Sequence, residues 1–527
     1  MLRARKSLKG MVTAPHHLAA EAGAQILREG GNAIEATVAA AAAIAVTYPH
    51  MNSLGGDGFW LIALPGRPPV AIRACGAAAG LATPQFYAEH GDAVIPMRGP
   101  RAALTVAGAV AGWAEALHVS REAGGTMPVS ALLADAIRHA RDGVPVTASQ
   151  AAMTAEKWGE LGSVPGFAET YAAGGMPEEG AILKQPALAA TLQRLAETGL
   201  DDFYRGDLAR LLASGLQAVG SPLRLADLEG FRAVRVEPVS VQLQSGEAFN
   251  LPPPTPGVSA LMILGIFDRL GVTEPESFAH IHGVVEATKR ALILRNAYIG
   301  DPARMDPSWT GWLTPERLDR EAAAIDMTRA APWPHLGQHG DTIWMGVGDG
   351  EGCVVSYIQS IFWEYGSGLV VPETGVVWQN RGASFTLADG PNALGPGRLP
   401  LHTLNPALAR LKDGRTLAYG TMGGEGQPQT QAAIFTRHVG FGMDMQAAVT
   451  APRWVLGRTW GAQITNLRLE DRFHPSLAKA LSAAGHEVEV VGPFEDLMGH
   501  AGMVSIDPRG IISAATDPRA DGSCASV

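Results

Sequence analysis

Cysteine is scarce: Cys75, Cys353 and Cys524 are the only three in 527 residues. No two of them share CxxC spacing, which excludes a disulfide framework and a cysteine-based zinc site. Charge is sparse too, at 17% against 46% hydrophobic residues. That is too little charge for a disordered chain, and enough apolar material for a large core of two or three domains' length. The net charge of −10 has the wrong sign for nucleic acid or an anionic membrane. Long apolar runs are missing as well, since the most apolar stretch, Ala36 to Val46, is too short to span a bilayer. Met1 to Gly10 is basic without an apolar segment behind it, so no signal peptide is expected and a reducing cytoplasm is the expected location. No cysteine cluster of ligand spacing occurs, and His16-His17 reads as an exposed pair; neither a metal nor a cofactor is expected. Internal repeats and low-complexity tracts are absent.

What is present divides into textures. Asn32 is placed to cap a helix, with Glu35 three residues on as in a capping box. The Ala-rich run to Val46 is apolar on every face and predicts a helix buried in a large core. Pro49 to Trp60 carries Gly55, Gly56 and Gly58, which predict close backbone packing before a strand over Phe59–Leu64. From Thr105 to Tyr204 helical spacing dominates. Pro252-Pro253-Pro254 reads as a stiff extended connector, followed by helices over Val258–Leu270 and Phe278–Tyr298. Ala330 to Gly340 reads as a loop. Beyond Asp341 strands are predicted over Thr342–Val347, Cys353–Ile361, Leu369–Val371, Val376–Trp378, Leu404–Leu411 and Thr416–Tyr419, with helices over Gln429–Arg437 and Met445–Ala451. Helices, then strands, then helices suit a layered α+β fold better than alternating βαβ units.

Gly340-Asp341-Thr342 stands at the boundary between loop and strand. A threonine there is ordinarily structural, because β-branched residues suit strands. Its surroundings change that reading. Gly340-Asp341-Thr342, Gly346-Val347-Gly348-Asp349, Ser360 and Gly366-Ser367-Gly368-Leu369-Val370-Val371-Pro372 together resemble the small-subunit start of the gamma-glutamyltransferase family. Arg398 to Leu404, Gly423-Gly424, Ala451-Pro452-Arg453-Trp454 and Thr516-Asp517-Pro518-Arg519 fit as well. In the first half Gly30 to Ala36, Pro49 to Phe59 and Asp202 to Gly206 match in order.

The resemblance implies a four-layer αββα N-terminal-nucleophile sandwich shared by two fragments of one precursor. The large one would be residues 1–341, mostly helical with some core strands, and the small catalytic one residues 342–527. It implies that the Thr342 hydroxyl attacks the Asp341 carbonyl and frees the chain before Thr342. The new α-amine, with a pKa near ~8, can then serve as base for its own hydroxyl. Gly423-Gly424 aligns with the family's oxyanion-hole pair, where backbone N–H donors are needed; the alternative is a simple turn. Ser360 aligns with a second threonine that hydrogen-bonds the nucleophile; the alternative is a solvated strand serine.

The chain also departs from the pattern. Where the family grips a substrate ammonium group, this chain has Gln379-Asn380-Arg381-Gly382-Ala383-Ser384. Ser384 replaces the carboxylate, Arg381 replaces a neutral amide, and Phe362 aligns with a helping asparagine. His402 and Thr403 replace a serine pair that contacts the substrate carboxylate. The family's large-subunit arginine has no clear counterpart; Cys75 or Ala77 lies near its expected position, with Arg73 close by. Exchanging an anion for a neutral group and adding a cation favours an anionic substrate. The pattern looks like the oxamate amidohydrolase branch, which implies hydrolysis of a small carboxylate-bearing amide to oxalate and ammonia in purine-nitrogen salvage. A gamma-glutamyl hydrolase or transferase, a glutaryl-type acylase and a non-catalytic scaffold are the competing readings. Arg381, His402 and Thr403 are the candidate substrate contacts, with a surface arginine paired to a local acid as the alternative for Arg381. The expected partners are the small amide and the two fragments themselves, with a higher oligomer possible and no nucleic acid or membrane.

Overall fold

The Ala-rich run forms the helix Ala33–Thr47, buried along its whole length. Its capping box is complete: Asn32 Oδ1 accepts from the N–H groups of Ile34 and Glu35, and Glu35 Oε2 accepts from Asn32 N–H at 3.0 Å. An all-apolar helix must be covered on every side, and this one packs against His17–Arg28, Val129–Asp142 and a β-sheet. The computed structural model describes residues 3–333, 341–457 and 465–527. Gly340 and most of the loop expected over 330–340 lie outside the described residues.

Two seven-stranded sheets form the centre. The first runs Ser523–Ser526, Gly10–Ala14, Asp341–Asp349, Val354–Phe362, Asp57–Ala63, Val70–Ala74 and Val234–Val236. The second runs Arg5–Ser7, Ile512–Thr516, Ala501–Ile506, Thr416–Thr421, Ala407–Leu411, Gly246–Asn250 and Val239–Leu243. Neighbouring strands in both are antiparallel. Three apolar cores account for the layering. One joins the early helices to the first sheet, one (Phe59, Trp344, Ile358, Val504) fills the space between the sheets, and one joins the second sheet to Gly257–Asp268 and Phe278–Tyr298. The fold is the α+β αββα sandwich that the resemblance implies.

Both sheets combine strands from either side of residue 341. Gly10–Ala14 and Asp57–Ala63 flank the central pair Asp341–Asp349 and Val354–Phe362. The helix Ala33–Thr47 is tied to the end of that pair, because Ala33 N–H donates to Asp349 Oδ2 at 2.8 Å.

Two local expectations are corrected. Pro252–Pro254 is not an extended spacer but part of a tight turn, because the Thr255 hydroxyl bonds back to the carbonyls of Leu251 and Pro252. His16-His17 is not an exposed pair: His16 is buried, and its Nδ1 accepts from Leu18 N–H at 3.2 Å to cap the helix that follows.

Candidate active site

Thr342 lies one residue inside the strand Asp341–Asp349, where a bulge interrupts the register with Val354–Phe362. Asp341 pairs with Phe362 and Ile343 with Gln359, which sets Thr342 against Ser360 and Ile361. On the far side Ser360 pairs with Asp57. Thr342, Ser360 and Asp57 therefore form a row across three adjacent strands, at the end of the layer between the sheets. All three are buried. The row needs close backbone approach at Gly56, where a Cβ would collide with the Ser360 carbonyl.

Ser360 is no solvated strand serine. Its Oγ accepts from Phe362 N–H at 2.8 Å, and Phe362 has a φ of +83°. A left-handed bulky residue costs about 1–3 kcal/mol and persists only where neighbours enforce it. Here Ser360 holds the N–H, and the strained turn presents the Phe362 ring as a shelf.

Arg381 lies on that shelf, with its guanidinium carbon 3.9 Å from the ring centroid. It is buried, not a surface arginine. Asn380 N–H donates to Ile361 O and Gln379 N–H to Gly55 O, which anchors the segment across the end of the first sheet. Arg381 Nη2 donates to Thr403 Oγ1 at 3.2 Å, while the buried Nη1 has no protein partner. His402 packs edge-on against Phe59, and its N–H donates to Pro254 O. Its Nε2 lies 3.1 Å from Asp57 Oδ2, but without hydrogen-bond alignment, so both atoms remain unsatisfied. Ser384 bonds the Leu401 carbonyl and borders a cleft of about 510 Å³ that also touches Phe362, Ile95 and Met97.

Asp57 was missed among the glycines of its motif. The available signal was an acid opening an otherwise apolar strand. Its Oδ1 accepts from Gly108 N–H and Gln379 Nε2, each at 3.1 Å. Burial pushes its carboxyl up to about 7, against the pull of Arg381 and these donors. Burial also brings the Arg381 guanidinium down to about 9, with Asp57 opposing, and holds the His402 imidazole well below its usual range. Cys75 is buried, its thiol pushed up by burial and then by Asp57. Arg73 pairs across strands with Phe59 and adds positive charge near His402.

Gly423 and Gly424 have φ values of +116° and +50°, a path that favours glycine. They lead through the turn Gly424–Gly426 into the helix Gln427–Phe435. Gln427, also missed, donates from Nε2 to Thr342 Oγ1 at 3.4 Å. The turn is thus carried to Thr342 by its own next residue. Arg295 neutralises Glu425 within it at 2.9 Å.

One group among the described residues has metal-ligand character, which sequence spacing did not reveal. His282, Glu286 and His486 place ligand atoms within 4.8 Å of one another. Protein groups already occupy them: Glu286 Oε1 takes Lys289 Nζ at 2.7 Å, Oε2 takes Ala331 N–H, and His282 Nδ1 meets His486 Nε2 at 2.8 Å. Lys289 supplies the cation there.

Known proteins resemble the chain over nearly its whole length. A family model described as gamma-glutamyltranspeptidase matches residues 19–527. The oxamate amidohydrolase proenzyme of Klebsiella pneumoniae is 55% identical over 523 residues, covering 98% of each chain. The glutathione hydrolase-like YwrD proenzyme of Bacillus subtilis is 37% identical over 98% of each. Among solved structures, cephalosporin acylase from Bacillus halodurans superposes with a TM-score of 0.91 at 32% identity, over 99% of this chain and 97% of that one. The chain is a hydrolytic enzyme that belongs to the gamma-glutamyltranspeptidase family.

Proposed function

We propose that the enzyme is a self-processing amidohydrolase that uses Thr342 to cleave a small amide bearing an adjacent carboxylate, with oxamate as substrate and oxalate and ammonia as products. The observation that carries this reading is Arg381, a buried guanidinium with an unpartnered Nη1 beside the nucleophile row. A cation in that place suits a carboxylate and repels the ammonium group of a gamma-glutamyl substrate. The 55% identity to an oxamate amidohydrolase proenzyme supports the same choice.

Maturation begins when Thr342 Oγ1 adds to the Asp341 carbonyl carbon and the peptide C–N bond breaks, leaving an ester. Water hydrolyses the ester to an Asp341 α-carboxylate and a free Thr342 α-amine. The fragments are then 1–341 and 342–527. In turnover the α-amine takes the hydroxyl proton as Oγ1 adds to the oxamate amide carbon. N–H groups of Gly423 and Gly424 receive the oxyanion, and Gln427 orients Oγ1. The proton passes to the leaving nitrogen, ammonia departs, and water releases oxalate from the threonyl ester. Arg381 and Thr403 hold the carboxylate, with His402 as a neutral neighbour.

The cleft beside Phe362 and Ser384 favours a second reading, an acylase for a longer acyl group. A panel of oxamate, gamma-glutamyl-p-nitroanilide and a glutaryl amide separates the two. Ammonia release from oxamate alone is expected; glutaryl or gamma-glutamyl turnover without it would overturn the assignment. N-terminal sequencing should find a fragment beginning Thr342-Ile343-Trp344.

A further inference from the structure

Buried side chains of the site leave polar atoms unsatisfied around Asp57: Asp57 Oδ2, Arg381 Nη1 and both ring nitrogens of His402, with Oε1 of Gln379, whose Nε2 donates to Asp57. Buried polar atoms are nearly always paired, so such a concentration marks where a ligand or proton completes the set. Its charges already balance, because Asp57 sits against the field of Arg381. An arriving carboxylate adds a second negative charge beside Arg381, the cation that acts on Asp57. Two carboxylates sharing a buried cation cannot both stay ionised cheaply. From the juxtaposition of Asp57, Arg381 and His402 we infer that the enzyme binds its anionic substrate together with one proton, which Asp57 accepts. Asp57 is thereby a specificity-determining residue that touches no reacting atom.

The inference rests on the reading of Arg381 as the carboxylate anchor. Other groups face Asp57 from each neighbouring element. Tyr357 comes from the adjacent strand and Tyr204 from the helix behind it, and burial raises both hydroxyls. Cys75 is raised likewise, so all three stay neutral. Arg73 acts on Cys75 and His402, Asp301 acts on Cys75, and His402 is kept neutral by burial. Asp57 is the group in this set poised near neutrality, its carboxyl at about 7. The proton comes from water. Once protonated, the carboxyl donates to the facing His402 nitrogen, and Arg381 Nη1, which has no protein partner, takes the substrate carboxylate.

The sign follows from linkage. The anion-bound state holds one more proton, so affinity falls as pH rises through the free-state value. The loss is about tenfold per pH unit until the bound-state value is reached.

Calorimetric titration of oxalate into the mature enzyme tests this. At about pH 8, in phosphate and in Tris, the dependence on buffer ionisation enthalpy reports proton uptake. About one proton per oxalate is expected in wild type. Asp57→Asn keeps the acceptor for Gln379 and Gly108 and should bind oxalate with no uptake and a flat pH profile of KM. Binding without uptake in wild type would overturn the inference, as would no binding. Uptake that persists in Asp57→Asn would assign the proton elsewhere, for instance to the Thr342 α-amine, and also overturn it. Oxalate bound with uptake beside unhydrolysed oxamate would leave the inference standing and remove oxamate as substrate.

Discussion

Truncation of Arg381 to alanine is the sharpest perturbation available. The side chain makes two kinds of contact. Its stack on Phe362 and its bond to Thr403 exist with or without substrate, so they belong to stability, not catalysis. What binding adds is the pairing of Nη1 with a carboxylate in a buried, low-dielectric site. Truncating one partner of such a pair costs about 2–5 kcal/mol or more. Asp57 already draws on the same cation, so the lower part of that range, about 2–4 kcal/mol, is appropriate. At about 1.4 kcal/mol per decade, kcat/KM for oxamate should fall roughly 30- to 1,000-fold.

The assay is ammonia release from oxamate by purified, processed enzyme, with the extent of cleavage scored on the same sample. Arg381→Ala should still cut before Thr342, because that step involves no bound anion. Arg381→Lys should recover activity only in part, since a point charge does not reproduce the planar fork. Unchanged oxamate turnover in Arg381→Ala would refute the reasoning and shift the anchor to Arg73, the other cation on this face. Loss of both cleavage and turnover would mean that Arg381 shapes the nucleophile itself.

Three further outcomes follow from the same structure. Thr342→Ala should give a folded, uncut and inactive chain on gels and in the ammonia assay; a cut chain would place the scission elsewhere. Oxamate turnover should survive EDTA, since no proposed step uses a metal and Lys289 occupies the cation place beside Glu286; loss on chelation with recovery on zinc would reverse this. Trp344→Ala, in the layer between the sheets against Gly420 and Gly502, should cost about 3–5 kcal/mol in denaturant unfolding, and a smaller loss would mean the sheets close over the gap.

How much the sequence disclosed depended on how local each signal was. The helix Ala33–Thr47 was readable because its capping box and apolar run lie within one segment. The strands from Asp341 to Thr421 were readable by their β-branched runs and glycine turns. Gly10–Ala14, Ile512–Thr516 and Ser523–Ser526 were not: they are short and rich in Ala, Ser, Gly and Thr, and their pairing comes from distant parts of the chain. Thr342, Ser360 and Gly423-Gly424 were found through their motif surroundings. Asp57 went unnoticed because its meaning arises only when the fold sets it opposite Ser360 and 3.1 Å from His402. The His282–Glu286–His486 cluster has the same character, since its third member comes from a distant segment, between Pro475–Ala483 and Val488–Val491.

That non-local assembly bears on why the site exists at all. Thr342 and Ser360 come from the strand pair after residue 341, and Asp57 comes from a strand long before it. Gly10–Ala14 and Asp57–Ala63 clasp that pair from both sides, so the row of three cannot form from either segment alone. A cut before Thr342 severs one covalent bond and no ladder partner of the row. The chain before the cut is held independently at Ala331, whose N–H meets Glu286 and whose carbonyl meets Lys289 at 2.6 Å. Scission before Thr342 would therefore free its amine in place, with Asp57, Arg381 and the neutral His402 already set around it.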